Sequence, residues 1–217
     1  METLDAVTRS ALPFAVAWCA ALLMVRTAVV LRRGYRVELG VAKGSARRGV
    51  LYSLTFSMLP WKKDSTRRHV WTYVAGMAMH AGVFFSLLYA AGLSFFAWPE
   101  WARPILAVFA GAGFVATLGL FLKRRSVPHM RVISSLDDFV ANTMVQLFLL
   151  GAVLTAVVPD VTVPSAVALW RSAGILLLLY VPLGKIYHML LFFVSRALFG
   201  LQFGRRGVLQ HDVPISY

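Results

Sequence analysis

The sequence predicts an all-α fold, a five-transmembrane-helix bundle, on three observations. Of the 217 residues, 59% are hydrophobic and only 14% are charged, whereas a soluble domain carries about 45–50% apolar and about 25% charged residues. Five apolar stretches reach the length of about 20 residues that a membrane span requires. The basic residues between these stretches fall almost entirely on one side of the predicted bundle.

The five stretches run over about residues 11–31, 70–93, 104–122, 139–158 and 169–194, and together they form a single membrane domain over 1–217. The first stretch starts too late and is too long for a secretory signal, so it is predicted to be a retained helix. Pro182 is expected to kink the fifth helix. Gly111 and Gly113 in the third stretch indicate close packing between helices rather than phosphate binding.

The charges predict the orientation. Basic residues mark the cytoplasmic loops of a membrane protein, and 18 of the 22 Lys and Arg lie on one side if five helices alternate. The N-terminus is therefore predicted outside and the C-terminus in the cytoplasm, in the inner (cytoplasmic) membrane. The net charge of +13 is accounted for by this topology and by anionic lipid, so nucleic acid is not an expected partner. The 18 are Arg32, Arg33, Arg36, Lys43, Arg47, Arg48, Lys62, Lys63, Arg67, Arg68, Lys123, Arg124, Arg125, Arg131, Lys185, Arg196, Arg205 and Arg206.

Two of the five histidines lie inside predicted spans. His80 is about ten residues into the second helix, and His188 is about eight residues before Arg196 on the fifth. At about 1.5 Å per residue, both imidazoles lie roughly 12–16 Å from the inner surface, a matching depth that suits two axial ligands of one haem. The other three are interpreted as interfacial or solvated: His69, His129 and His211.

The alternative is that His80 and His188 only make packing hydrogen bonds within the bundle, although ionisable groups inside a membrane are costly and commonly functional. No carboxylate lies in either segment to complete a zinc or di-iron site. The single cysteine, Cys19, excludes an internal disulfide and a CxxC metal site. Any redox chemistry therefore needs another cofactor.

Seven short stretches carry a resemblance to known membrane proteins by their order and spacing. Five of them are Met79-His80-Ala81-Gly82-Val83, Phe109-Ala110-Gly111, Leu122-Lys123-Arg124-Arg125, His129-Met130-Arg131-Val132 and Pro182-Leu183-Gly184-Lys185-Ile186-Tyr187-His188. These five resemble the gamma subunit of respiratory nitrate reductase. The last two, Phe193-Val194-Ser195-Arg196 and Gly204-Arg205-Arg206-Gly207, are more similar to the related cytochrome b subunits of heterodisulfide-reductase-like and sulfite-reductase-associated membrane complexes.

The resemblance implies one haem b with His80 and His188 as the axial iron ligands. The nitrate reductase subunit carries a second haem, but its ligand positions are Ala90 and Trp170 in this sequence, and neither side chain can bind iron. Arg103 matches a basic position that helps to bind quinol in the family, or else it is an interfacial anchor.

Three basic residues are candidates for binding quinone or a haem propionate: Arg103, Arg125 and Lys185. The expected function is that of a membrane-anchoring cytochrome b subunit, not catalytic alone. It would pass electrons between membrane quinone or menaquinone and an iron–sulfur subunit on the cytoplasmic face. Residues 46–61, with their basic and apolar side chains, could form an interfacial helix on that face.

Two other functions stay open from the sequence. One is a haem-free structural anchor of a multisubunit complex, and the other is a small transporter or ion-conducting subunit. No predicted span carries the paired acidic residues of a cation path, since Asp137 and Asp138 lie at the inner end of the fourth helix.

Overall fold

A computed structural model describes residues 2–34, 40–62, 64–93, 98–158 and 163–208, and in these ranges it is helical with no strand. The described α-helices are α1 Glu2–Gly34, α2 Ala46–Leu54, α3 Asp64–Arg68, α4 Val70–Gly92, α5 Ala102–Ser126, α6 Pro128–Ile133, α7 Leu136–Val157, α8 Val163–Tyr180 and α9 His188–Arg205. Short 3-10 turns follow α2 at Phe56–Met58 and Pro60–Lys62, and one precedes α9 at Lys185–Tyr187.

Among the described residues, five helical segments are long and apolar enough to cross a membrane, so the predicted number of spanning helices is confirmed at this level. They are Thr3–Arg33, Val70–Gly92, Ala102–Ser126, Leu136–Val157 and Lys185–Arg205, with Ser165–Tyr180 as a shorter apolar helix. The orientation of the termini stays a prediction of the charge pattern.

The fifth predicted helix, 169–194, is wrong as a single element. The chain leaves helical geometry after Tyr180, passes through a turn at residues 181–184 and resumes as α9. Pro182 has no N–H to donate to the preceding turn, and it disfavours helical geometry at Val181 before it. The fifth segment of spanning length is consequently Lys185–Arg205, shifted toward the C-terminus.

Two other helices begin earlier than the apolar pattern indicates, because polar residues extend their first turns. In α1, Arg9 Nε donates to Asp5 Oδ2 at 2.7 Å, an i,i+4 pair that supports helix before residue 11. In α7, Ser135 and Asp138 form a reciprocal capping box that starts the helix at Leu136.

The chain divides into two compact units, Met1–Ala21 with Val70–Ile186, and Leu22–His69 with Tyr187–Tyr217. In the first unit α4 packs on α5, α5 on α7, and α7 on α8. The first part of α1 is joined to α8 by Trp18, whose indole donates to Leu179 O at 3.3 Å, and by an ion pair of Arg171 with Asp5 at 2.7 Å.

Small residues set the closest helix approach in the first unit. A Cβ added at Gly82 of α4 would lie 2.6 Å from Phe109 O of α5, and one at Gly113 would lie 3.1 Å from Gly82 Cα. The predicted packing role is therefore confirmed for Gly113. Gly111 has open space beside it, with no atom within 4 Å of an added Cβ.

In the second unit α2 packs on α9 through another set of small residues. A Cβ at Gly49 would collide with Gly200 O, and one at Gly204 would lie 2.6 Å from Gly49 Cα. The side chain of Arg196 donates to Ser53 O at 3.0 Å from Nη2, and Ser53 Oγ donates to Arg196 O at 2.8 Å. Glycines thus let the two backbones approach closely enough for these bonds.

Candidate functional site

His80 occupies the open side of α4. Its ring is exposed, and Nδ1 lies 2.6 Å from Gly76 O, one turn earlier in the same helix. Because a carbonyl oxygen can only accept, Nδ1 must carry a proton, and in the neutral ring Nε2 then holds the free lone pair. Within the described residues this ring makes no second hydrogen bond. The nitrogen suited to bind a metal is therefore the one left exposed.

The packing of α4 explains why this side is open. Successive residues turn by about 100° around a helix, so His80 and the tightly packed Gly82 point to nearly opposite sides. The His80 side carries exposed apolar neighbours, Met77 at 53% and Phe84 at 67% relative exposure. Gly76, on the same side, has no heavy atom within 4 Å of an added Cβ. Together these residues form an apolar surface with a single nitrogen lone pair in it.

His188 is the first residue of α9 and is exposed. It belongs to the second unit, whereas His80 belongs to the first. The guanidinium of Arg26 in α1 lies over the ring of Tyr187, the residue before His188, with Cζ 4.8 Å from the ring centroid. A cation held over an aromatic face in this way ties the start of α9 to α1 within the second unit.

The predicted depth of His188 in the membrane assumes that Arg196 marks the inner end of its helix. In the structure Arg196 does not mark a helix end. Helix α9 continues to Arg205, and Arg196 lies within the apolar segment Lys185–Arg205. Its guanidinium is engaged with Ser53 O at 3.1 Å from Nε. A count of residues from Arg196 therefore does not fix how deep His188 lies in the membrane.

The three basic candidates are placed differently from one another. Arg103 Nη2 donates to Val158 O at 2.9 Å, so it binds the carbonyl that ends α7. Lys185 Nζ donates to Asp138 Oδ2 at 2.6 Å and to Ser135 Oγ at 2.9 Å. Arg103 and Lys185 thus join helices, whereas Arg125 is exposed beside a groove.

A polar cluster at the start of α7 holds the break after α8. Asp137 Oδ2 accepts from the backbone N–H of Lys185 at 2.9 Å, and the hydroxyl of Tyr180 donates to the other Asp137 oxygen. Both residues that flank the turn are therefore bound to one carboxylate. The sequence placed Asp137 at this helix end but contained no signal for its partners, which lie more than 40 residues further along the chain.

A second polar cluster joins α1 to α8. Arg171 Nη1 donates to Asp5 Oδ1 at 2.7 Å and to the buried Thr8 Oγ1 at 3.1 Å. The side chain of Arg171 is only 16% exposed. Arg171 is not among the 18 basic residues predicted on the cytoplasmic side, and the charge pattern predicts it on the outer side. The ion pair with Asp5 was not predicted.

Trp170 occupies the position that matches a ligand of the second haem in the nitrate reductase subunit that the sequence resembles. Its side chain is buried, with 2% relative exposure. Its ring lies 5.8 Å from that of Phe148 and 6.2 Å from that of Tyr89, measured between centroids. A Cβ at Gly151 would come within 2.9 Å of Trp170 Cα. Side chains of α4, α7 and α8 therefore fill this level of the first unit.

In the described ranges no group of three or more His, Cys, Asp or Glu side chains lies together as a metal site. Of the other histidines, His69 and His129 are exposed, at the end of α3 and in α6; His211 lies outside the described residues. Comparisons with protein families, curated proteins and solved structures find no match to this chain.

Proposed function

We propose that this chain is the membrane-anchoring cytochrome b subunit of a respiratory oxidoreductase, with one haem b held by His80 and His188. The observation that supports it most is the state of His80. A histidine that binds a metal almost always donates its other ring N–H to a carbonyl, carboxylate or water. His80 makes that bond to Gly76 O at 2.6 Å and exposes the opposite nitrogen in apolar surroundings.

The residues around His80 fit a haem in chemistry and in space. Two neutral imidazoles bind iron without adding charge to an apolar region. Gly76 leaves open space beside the His80 ring, and the exposed side chains of Met77 and Phe84 can make apolar contacts with a haem. When bound, haem supplies one-electron transfer, while the protein supplies the ligands, their orientation and a low dielectric.

A single haem is favoured over two by Trp170. In the family resembled, the second haem needs ligands at Ala90 and Trp170, which cannot bind iron. The interior at Trp170 is occupied by its contacts with Phe148 and Tyr89. The packing of Trp170 among the described residues thus supports the proposal of one haem in preference to two.

The electron partners are proposed from the charge pattern and the resemblance. The sequence prediction puts 18 of the 22 basic residues on the cytoplasmic side, although one of them, Arg196, lies within the apolar segment Lys185–Arg205 of the structure. The predicted basic side suits an acidic surface of an iron–sulfur subunit as well as anionic lipid. Membrane quinone is the other proposed partner. Arg103 is less suited to bind it than the sequence indicates, because its guanidinium binds the end of α7.

A haem-free anchor is the second candidate function, and two observations favour it. The hydrogen bond from His80 to Gly76 O is also what a histidine with only a structural role would make, and Arg103 and Lys185 both join helices. In that case His80 leaves Nε2 toward lipid, at the cost of an unsatisfied polar atom.

The test is a reduced-minus-oxidised visible spectrum of the complex purified in mild detergent, followed by addition of a quinol analogue. The proposal predicts a low-spin b-type spectrum, an iron–sulfur subunit that copurifies, and haem reduction by the quinol. A chain without a haem spectrum would support the anchor, and haem that no quinol reduces would remove quinone from the function.

A further inference from the structure

Three consecutive basic residues lie in the last turn of α5, and their contacts differ. Lys123 Nζ donates to Thr72 Oγ1 of α4 at 2.5 Å, and Arg124 Nη1 lies 3.5 Å from Asp138 Oδ1 of α7. Arg125 is exposed and, within the described part of the chain, has no hydrogen bond or ion pair. Two of the cations hold helices together, and the third is available to a ligand.

Arg125 stands beside a groove between α5 and α7. The groove has a volume of about 460 Å³, within the range of about 300–1,000 Å³ typical of ligand sites. Phe121 and Phe139 meet edge to face in it, with ring centroids 5.5 Å apart. The residues that line the groove are Phe121, Arg125, Leu136, Phe139, Val140, Thr143 and Met144.

One end of the groove carries a positive charge, and the rest of its wall is mostly apolar. Arg125 lies in the last turn of α5 and Leu136 is the first residue of α7, so the cation stands at the end of the groove where α5 ends and α7 begins. From Leu136 to Met144 the groove follows α7 for about 12 Å, at about 1.5 Å per residue. Thr143 adds one hydroxyl to an otherwise apolar wall. A ligand that fits has an anionic head and an apolar chain.

We infer that this groove binds one anionic phospholipid, with its phosphate on Arg125 and its acyl chain along Phe121, Val140 and Met144. Basic pockets between transmembrane helices on the cytoplasmic side are suited to anionic head groups. A guanidinium matches a phosphate with two parallel hydrogen bonds and an opposite full charge, whereas a quinone carbonyl accepts a hydrogen bond but carries no charge. The site is independent of the proposed haem.

The test is native mass spectrometry of the purified full chain with added phosphatidylglycerol or phosphatidylcholine of the same acyl chains. One phosphatidylglycerol should bind, and Arg125→Gln should weaken it about fivefold, equivalent to about 1 kcal/mol for one basic residue at an anionic head group. Val140→Trp, which fills the groove and keeps the cation, should also reduce binding. The matched control is Arg131→Gln, which removes an exposed charge on α6 outside the groove.

Three results would overturn the inference. Equal weakening by Arg125→Gln and Arg131→Gln would mean that lipid responds only to the total charge. Phosphatidylcholine bound as tightly as phosphatidylglycerol would remove the role of the head-group charge. A short-chain quinone analogue whose binding needs Arg125, while phosphatidylglycerol binding does not, would make the groove a quinone site.

Discussion

Replacing Gly82 by Ala should loosen the crossing of α4 and α5, and the structure provides its own control. An added Cβ at Gly82 would lie 2.6 Å from Phe109 O and 3.0 Å from Gly113 Cα. Both atoms belong to the backbone of α5, so neither moves aside without moving the helix. At Gly76, six residues earlier in α4, the same Cβ would meet no atom within 4 Å.

The difference in stability between Gly82→Ala and Gly76→Ala measures the steric clash of the added Cβ with α5. Ala is favoured over Gly by about 1 kcal/mol inside a helix, and this gain applies to both variants, so it cancels in their difference. What remains is the cost of overpacking, about 1–3 kcal/mol. Gly82→Ala should therefore have a free energy of unfolding about 1–3 kcal/mol below that of Gly76→Ala.

Equilibrium unfolding of the two variants and the parent chain in mixed micelles measures this difference. Gly76→Ala should be at least as stable as the parent. If Gly82→Ala proved as stable as Gly76→Ala, the close approach of α4 and α5 would be wrong.

Two further substitutions test the surroundings of His80 and the break after α8. Gly76→Leu should leave the fold intact, since the space beside Gly76 is open. It should reduce haem content strongly, because the new side chain covers the face beside His80. The control is Gly119→Leu, also in open space, which should retain haem in the same spectrum. Full haem in Gly76→Leu would place the cofactor elsewhere. Asp137→Asn should lower the free energy of unfolding by about 1–2 kcal/mol. A hydrogen bond to a charged group contributes about 1.5–3 kcal/mol, and the bonds to Asp137 are partly exposed. An unchanged free energy of unfolding would mean that Asp137 does not hold the turn.

The fold class and four of the spans could be predicted from the sequence because apolar length is a strong local signal. The fifth span could not, since one apolar run covers both α8 and the start of α9. Whether Pro182 kinks or interrupts such a run depends on tertiary partners, here the Asp137 carboxylate bound to the N–H of Lys185. Those partners lie on another helix.

The candidate site was predictable only in part for the same reason. The sequence identifies His80 as an intramembrane histidine, but its tautomer follows from the bond to Gly76 O, which needs coordinates. Hydropathy likewise cannot separate Arg103 and Lys185, which bind helix ends, from Arg125, which faces a groove. Long-range pairs such as Arg171 with Asp5 leave no periodic trace in the sequence.

The most direct test of the central claim is the haem spectrum of three histidine variants, each purified beside the parent chain. His80→Ala and His188→Ala should each lose the low-spin b-type spectrum, because one remaining imidazole cannot complete the axial pair. His129→Ala, at an exposed position on α6, should keep the parent's haem content and spectrum. Full low-spin haem in either His80→Ala or His188→Ala would contradict the proposed ligation and, with it, the assignment of this chain as a bis-histidine cytochrome b subunit.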